Sequence, residues 1–267
     1  MKFKTKMLVE RFAKVISEWP GVECISLNEA ALPDTLDPYF ALILDIYYDG
    51  AIPNSEERLK LYGDDVAAFE STGGNYPGSP GKEGKDRFLI KDIPVRLEYK
   101  PLKLIEELVT IADTRLDALW LIKDSGTYGF YRLHRGEIIF SRNDRILELR
   151  KRINNLGDEF WNRMRNAHVS KMEHFLSDLG AAAIQGDDFY YLISAAGFIK
   201  SACLTLFCIN HRFEPSHRDY YKQVLELPLL SESFKAEFET FLRPEGSKAK
   251  ERNFSLAQLI ARGILAL

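Results

Sequence analysis

From Met7 to Trp19 apolar residues recur on one helical face, at Leu8, Phe12, Val15, Ile16 and Trp19, which predicts an amphipathic helix stopped by Pro20-Gly21. Val22–Leu27 reads as a short strand, and Asn28–Pro38, with two prolines and two aspartates, as a loop. The apolar run Phe40–Tyr48, closed by Asp49-Gly50, is a second strand. Asn54 or Ser55 can cap a short helix through Leu61, ended by Gly63. Phe88–Ile90 and Val95–Tyr99 form adjacent strands around Asp92, and Pro101 suits the first turn of a helix carrying Leu102, Ile105, Leu108 and Val109. A hairpin is predicted at Tyr128–Leu133 and Glu137–Phe140, turning at Arg135-Gly136. From Asn143 onward nearly every segment has helical period. The pattern therefore divides the chain into a mixed α/β part, residues 1–142, and an all-helical part, residues 143–267.

Ser71–Asp86 is rich in glycine and proline and reads as an exposed loop. It is not a Walker A loop, because Ser79 stands where the first glycine is needed and Asp86 where the hydroxyl is needed. The composition, 46% hydrophobic and 28% charged over 267 residues, is that of a globular chain with ample core. Lys plus Arg number 36 against 39 Asp plus Glu, so no broad positive field is available for nucleic acid. Three widely spaced cysteines without a CxxC pair exclude a full disulfide framework, Cys203 and Cys208 read as buried thiols in a helix, and no apolar run is read as membrane-spanning. The expectation is a cytoplasmic protein.

Two carboxylates interrupt otherwise strand-like runs. Asp45 shares a face with Ala41, Ile43 and Tyr47, and Glu98 shares one with Arg96 and Lys100. An ionised carboxylate inside a strand needs a partner, hydrogen bonds or a metal. Asp45 and Glu98 on neighbouring strands can aim at one cation. The alternatives are that Glu98 pairs with Arg96 or Lys100 on a solvated face, and that Asp45 accepts backbone hydrogen bonds.

The element order, with Asp-Gly closing the second strand, an acidic third strand and a helical half containing Phe198–Ser201, Leu206–Phe213 and Tyr220–Pro228, resembles the bacterial nucleotidyltransferases, of the aminoglycoside (kanamycin) type. The resemblance implies a nucleotidyltransferase-like mixed sheet with flanking helices followed by a helical bundle, with the functional cleft between them. It implies transfer of a nucleoside monophosphate from a nucleoside triphosphate to a small-molecule or protein acceptor, with Asp45 and Glu98 as catalytic and Mg²⁺-binding groups. Asp34, Asp37 or Asp49 could join them. The family's Gly-Ser falls on Leu27-Asn-Glu-Ala30, where Glu29 would sit beside the phosphates. Its Asp-x-Asp falls on Ala41-Leu42-Ile43, or on Asp45 with Tyr47. These departures leave a second reading, an inactive member that binds a ligand or partner.

Arg96 and Lys200 are the candidate nucleotide contacts; the alternative for Lys200 is a lysine that snorkels from the edge of an apolar helix face. His211-Arg212, His217-Arg218 and Tyr220-Tyr221-Lys222 form a basic, aromatic cluster suited to an anionic site or to helix capping. Arg145–Arg165 is basic but carries Glu148, Asp158 and Glu159, and reads as a solvated helix face. His168 and His174 fit no zinc template.

Overall fold

A computed structural model of the chain describes residues 3–29, 42–73, 83–243 and 249–267. It contains a mixed six-stranded sheet with flanking helices and then a helical region, the fold class expected from the sequence. Compact packing divides the chain into two units, Met1–Arg115 with Arg132–Asn155, and Leu116–Tyr131 with Leu156–Leu267. The chain thus passes between units three times, rather than once near residue 142. Asp34, Asp37, Ala41 and most of the glycine-rich segment lie outside the described residues.

In the first unit, α1 (Phe3–Ser17) precedes β1 (Val22–Glu29) and β2 (Leu42–Tyr48). Then come α2 (Ser55–Tyr62), β3 (Val66–Gly73), β4 (Gly84–Ile90), β5 (Ile93–Pro101) and α3 (Leu102–Asp113). Strand order is β3-β4-β5-β2-β1, with β6 (Glu137–Ser141) beyond β1. Among the described residues only the β2–β5 pair is parallel, and its register sets Asp45 beside Glu98. One sheet face supplies Leu42, Leu44, Ile46, Tyr48, Val95, Leu97 and Tyr99 to a core closed by Phe12 and Ile16 of α1 and by Trp19 in the turn after it. That leaves Asp45 and Glu98 on the opposite face, since side chains alternate along a strand. α2 begins with a capping box in which Asn54 and Glu57 satisfy each other's backbone amides. α6 (Arg145–Asn154) belongs to this unit: Ile146, Leu149 and Ile153 are buried, while Arg145 pairs with Asp49 and Glu106 and Arg152 with Asp113.

The structure corrects three sequence expectations. Tyr128–Arg135 is a helix, α5, and not a hairpin arm; α4 (Trp120–Ser125) precedes it. Its buried residues Phe130 and Leu133 are three apart and Tyr128 stacks on Tyr131, so the aromatic run follows a helical period. Second, Ser71–Gly73 and Gly84–Asp86, at the two ends of the expected loop, are strand. A register shift between Ala67 and Glu70, with Ala68 at φ 51°, breaks the alternation that would have marked β3.

The second unit is built on α7 (Asp158–Gln185) and α8 (Asp188–Ile209), joined by a turn at Gly186, with α9 (Tyr220–Leu225), α10 (Phe234–Leu242) and α11 (Ala249–Leu265) around them. The third correction falls on α8. It is long and apolar enough to cross a membrane by length and composition, although 56% of that stretch is buried in the protein. Phe198, Ala202, Cys203, Leu206 and Phe207 pack there with Phe234, Phe238 and Ile260.

Gly197 lets these two helices approach, since a Cβ there would lie 2.5 Å from the Phe175 ring. Alanine is preferred to glycine in a helix interior by about 1 kcal/mol. Gly197→Ala should nevertheless destabilise the helical unit by roughly 1–3 kcal/mol through overpacking. Chemical denaturation reads the sign directly; a stabilised variant would mean that Phe175 yields without cost.

Candidate functional site

The two strand carboxylates meet across the β2–β5 pair, and a cation lies between them. Arg132, in the last turn of α5, donates from Nη1 to Glu98 Oε2 at 2.6 Å and from Nη2 to Asp45 Oδ1. Lys100 Nζ approaches the same Asp45 oxygen at 3.5 Å. Asn28 Nδ2 donates to Asp45 Oδ2. Glu98 Oε1 faces Arg96 Nε at 3.0 Å and Lys85 Nζ at 3.9 Å. Every carboxylate oxygen of the pair therefore faces a nitrogen donor. Four cations surround two carboxylates, a formal excess of two positive charges.

Local sequence explains the arrangement. Asp45 is fully buried because β2 is covered along its length. Gly136 follows α5 with no side chain, and a Cβ there would stand 2.9 Å from both Asn28 Oδ1 and Ser26 Oγ. The turn into β6 can therefore close on β1, which keeps Asn28 against Asp45. Burial holds the Asp45 carboxyl above the usual carboxylate range, with Lys100 and Arg132 pulling the other way. Burial acts on Glu98 in the same sense, but Arg132, Lys100, Arg96 and Lys85 outweigh it and hold its pKa below the usual range.

Mg²⁺ requires a near-octahedral shell of oxygen ligands, with open carboxylate lone pairs directed at it. The residues present do not fit that ion: the shared position between Asp45 and Glu98 is occupied by the Arg132 guanidinium, a planar fork that matches two carboxylates. Among the described residues no three His, Cys, Asp or Glu side chains converge on a metal position. Asp49 is turned to Arg145 at 3.0 Å and Lys103 at 3.8 Å. Beside the pair, Thr72, Glu83, Gly84, Lys85, Glu98, Tyr99 and Lys100 line an open pocket of about 200 Å³.

The remaining sequence candidates are distributed elsewhere. Arg96 stands at the carboxylate pair. Lys200 is exposed on α8 in the second unit, where it, Lys171 and Lys123 join burial in lowering the His168 pKa to about 4. The basic, aromatic cluster is organised by a residue the sequence reading passed over. Glu214, buried, accepts from the Tyr220 hydroxyl, lies 3.5 Å from His217 Nε2, and its backbone amide donates to Thr127 Oγ1 at 2.8 Å. His211, at φ 50° just past α8, stacks on Trp161 at 5.3 Å, in keeping with the capping alternative. Arg132 was hidden in the segment read as a hairpin; its helical spacing was the available signal.

A family model described as a domain of unknown function (DUF4037) matches residues 126–222, less than half of the chain, and includes Arg132. No curated protein matches. Among solved structures the chain is similar to a nucleotidyltransferase-like protein from Exiguobacterium sibiricum 255-15, at 11% identity over 98% of this chain and 74% of that one, with TM-score 0.49. It is also similar to JHP933 from Helicobacter pylori, at 10% identity over 100% and 95% of the two chains and TM-score 0.28. A candidate nucleotidyltransferase from H. pylori matches at 9% identity over 98% and 96%, with TM-score 0.27.

Proposed function

We propose that this chain is a nucleotidyltransferase-like protein that has exchanged metal-dependent transfer for binding. The observation that carries the reading is the Arg132 guanidinium held between Asp45 and Glu98. Nucleotidyl transfer draws most of its rate from positioning and from neutralising phosphate charge, and a divalent cation held by strand carboxylates would supply that neutralisation. Here the carboxylates are already neutralised by an internal cation that cannot exchange or bridge two oxygens of a substrate. Lys85 and Lys100, which line the adjoining pocket, favour an anionic, phosphate-bearing ligand there. The competing reading is transfer of a nucleoside monophosphate from a nucleoside triphosphate to a small-molecule or protein acceptor through Mg²⁺ on Asp45 and Glu98.

The two separate in one set of assays. With α-labelled ATP or GTP and Mg²⁺ or Mn²⁺, the protein should release no pyrophosphate and label no acceptor above a protein-free blank. Nucleotide binding, followed as a thermal shift, should be unchanged when EDTA replaces Mg²⁺. Mg²⁺-dependent labelling that disappears in Asp45→Asn would restore the transferase reading.

A further inference from the structure

The α7–α8 hairpin presents large apolar side chains outward near its turn, with Ile184 89% exposed, Phe189 73%, Leu192 66% and Ile193 49%. On α8 the stripe continues at helical spacing through exposed Ala196 to exposed Lys200. On the opposite side of the same stretch Ser194, Phe198, Ser201 and Ala202 are buried. Over this stretch α8 is thus apolar on two sides, and among the described residues only one of them is packed against the core. A contiguous apolar patch of this kind on a globular unit marks an interaction surface.

The ends of the stripe select the occupant. Asp187 and Asp188 open it and Lys200 closes it, all three exposed. An acidic end is unsuited to anionic lipid headgroups, where interfacial helices carry Lys and Arg. It is suited to an antiparallel copy of itself. A twofold axis crossing the helix at the level of Ser194 sets Lys200 against the partner subunit's Asp188, and repeats the pairing at the other end. The same axis sets Leu192 against the partner subunit's Ala196, a bulky side chain over a small one, again twice. Apolar centre, charged rim and opposite charges in register are what an isologous interface needs.

We propose that the outer face of α8, from Asp188 to Lys200, is the seam of a symmetric homodimer in which α8 packs antiparallel on α8. The seam is independent of the chemistry at Asp45 and Glu98. Sedimentation velocity and light scattering on the full chain should give a concentration-dependent dimer. Leu192→Glu should weaken it by at least about tenfold, with unchanged circular dichroism because the side chain is exposed. Lys200→Glu and Asp188→Lys should each weaken it by roughly three- to tenfold, and both changes in one chain should restore it. A chain that stays monomeric up to about 100 µM overturns the proposal. So does a dimer that survives Leu192→Glu, or a double charge swap no better than the single ones. Binding of a monomer to phosphatidylcholine–phosphatidylserine vesicles, lost in Leu192→Glu, would assign the face to lipid instead and equally overturn it.

Discussion

Arg132→Ala should cost the sheet-containing unit about 3–5 kcal/mol at pH 7, because it strips the shared cation from two buried carboxylates and leaves them side by side. Asp45 is fully buried and the Glu98 side chain is 14% exposed, so water cannot replace the guanidinium at both. A loss of that size lowers the melting temperature of the unit by roughly 10 °C. Lys100 remains at Asp45, and Arg96 and Lys85 at Glu98, but loss of the guanidinium charge raises the pKa of both carboxylates relative to the parent. A group whose folded pKa lies above its unfolded value destabilises at high pH and ceases to do so as pH falls through the folded pKa. The gap between variant and parent should therefore narrow from pH 7 toward pH 5, measured by thermal melting across that range. Arg132→Lys should recover only part of the loss, since one ammonium cannot reach both carboxylates as a fork does.

A loss of similar size, about 3–5 kcal/mol, is expected for Asp86→Asn, which leaves the buried Arg58 guanidinium without its counter-charge. Asp86 Oδ2 accepts from Arg58 Nε at 2.8 Å, Tyr62 at 2.7 Å and Tyr99 at 2.8 Å, while Oδ1 accepts from Arg58 Nη2 at 2.8 Å. Arg58 also donates to the Pro53 carbonyl and to Ser71, and its guanidinium lies 4.7 Å from the Tyr99 ring centre. Burial would raise the Asp86 pKa, but Arg58 and the Tyr62 and Ser71 hydrogen bonds hold it below the usual carboxylate range. A depressed folded pKa contributes stability above the unfolded pKa, near 3.9, and loses it as pH falls through the folded value. Urea melts of the parent should therefore steepen their decline below about pH 4, and Asp86→Asn should flatten that limb while lying lower at pH 7.

The strands carrying Asp45 and Glu98 were legible because each shows a face split, apolar on one side and acid-bearing on the other. Their adjacency was legible as a hypothesis, and the parallel register of β2 and β5 supplies it residue for residue. What neutralises the pair was not. Arg132 lies 87 residues from Asp45, on a short helix whose aromatic content imitates a strand. Asp86 was hidden for a different reason. It stands only a few residues after a run of glycine and proline, and local composition gives no sign that Arg58, 28 residues earlier, will reach it. The two halves of α8 show the same limit from the other side. Phe198 and Leu192 are equally apolar in sequence, and only packing decides that one is core and the other is surface.

The place of Arg132 between the two carboxylates is tested most directly by melting the parent and Arg132→Ala with increasing MgCl₂ or MnCl₂ at constant ionic strength. The parent should show no saturable shift, because its carboxylate oxygens are engaged by Arg132, Lys100, Asn28, Arg96 and Lys85. Arg132→Ala should recover stability as the divalent ion takes the vacated place, along the curve RT ln(1 + [L]/Kd). A parent protein stabilised saturably by Mg²⁺, with the effect lost in Asp45→Asn, would contradict it.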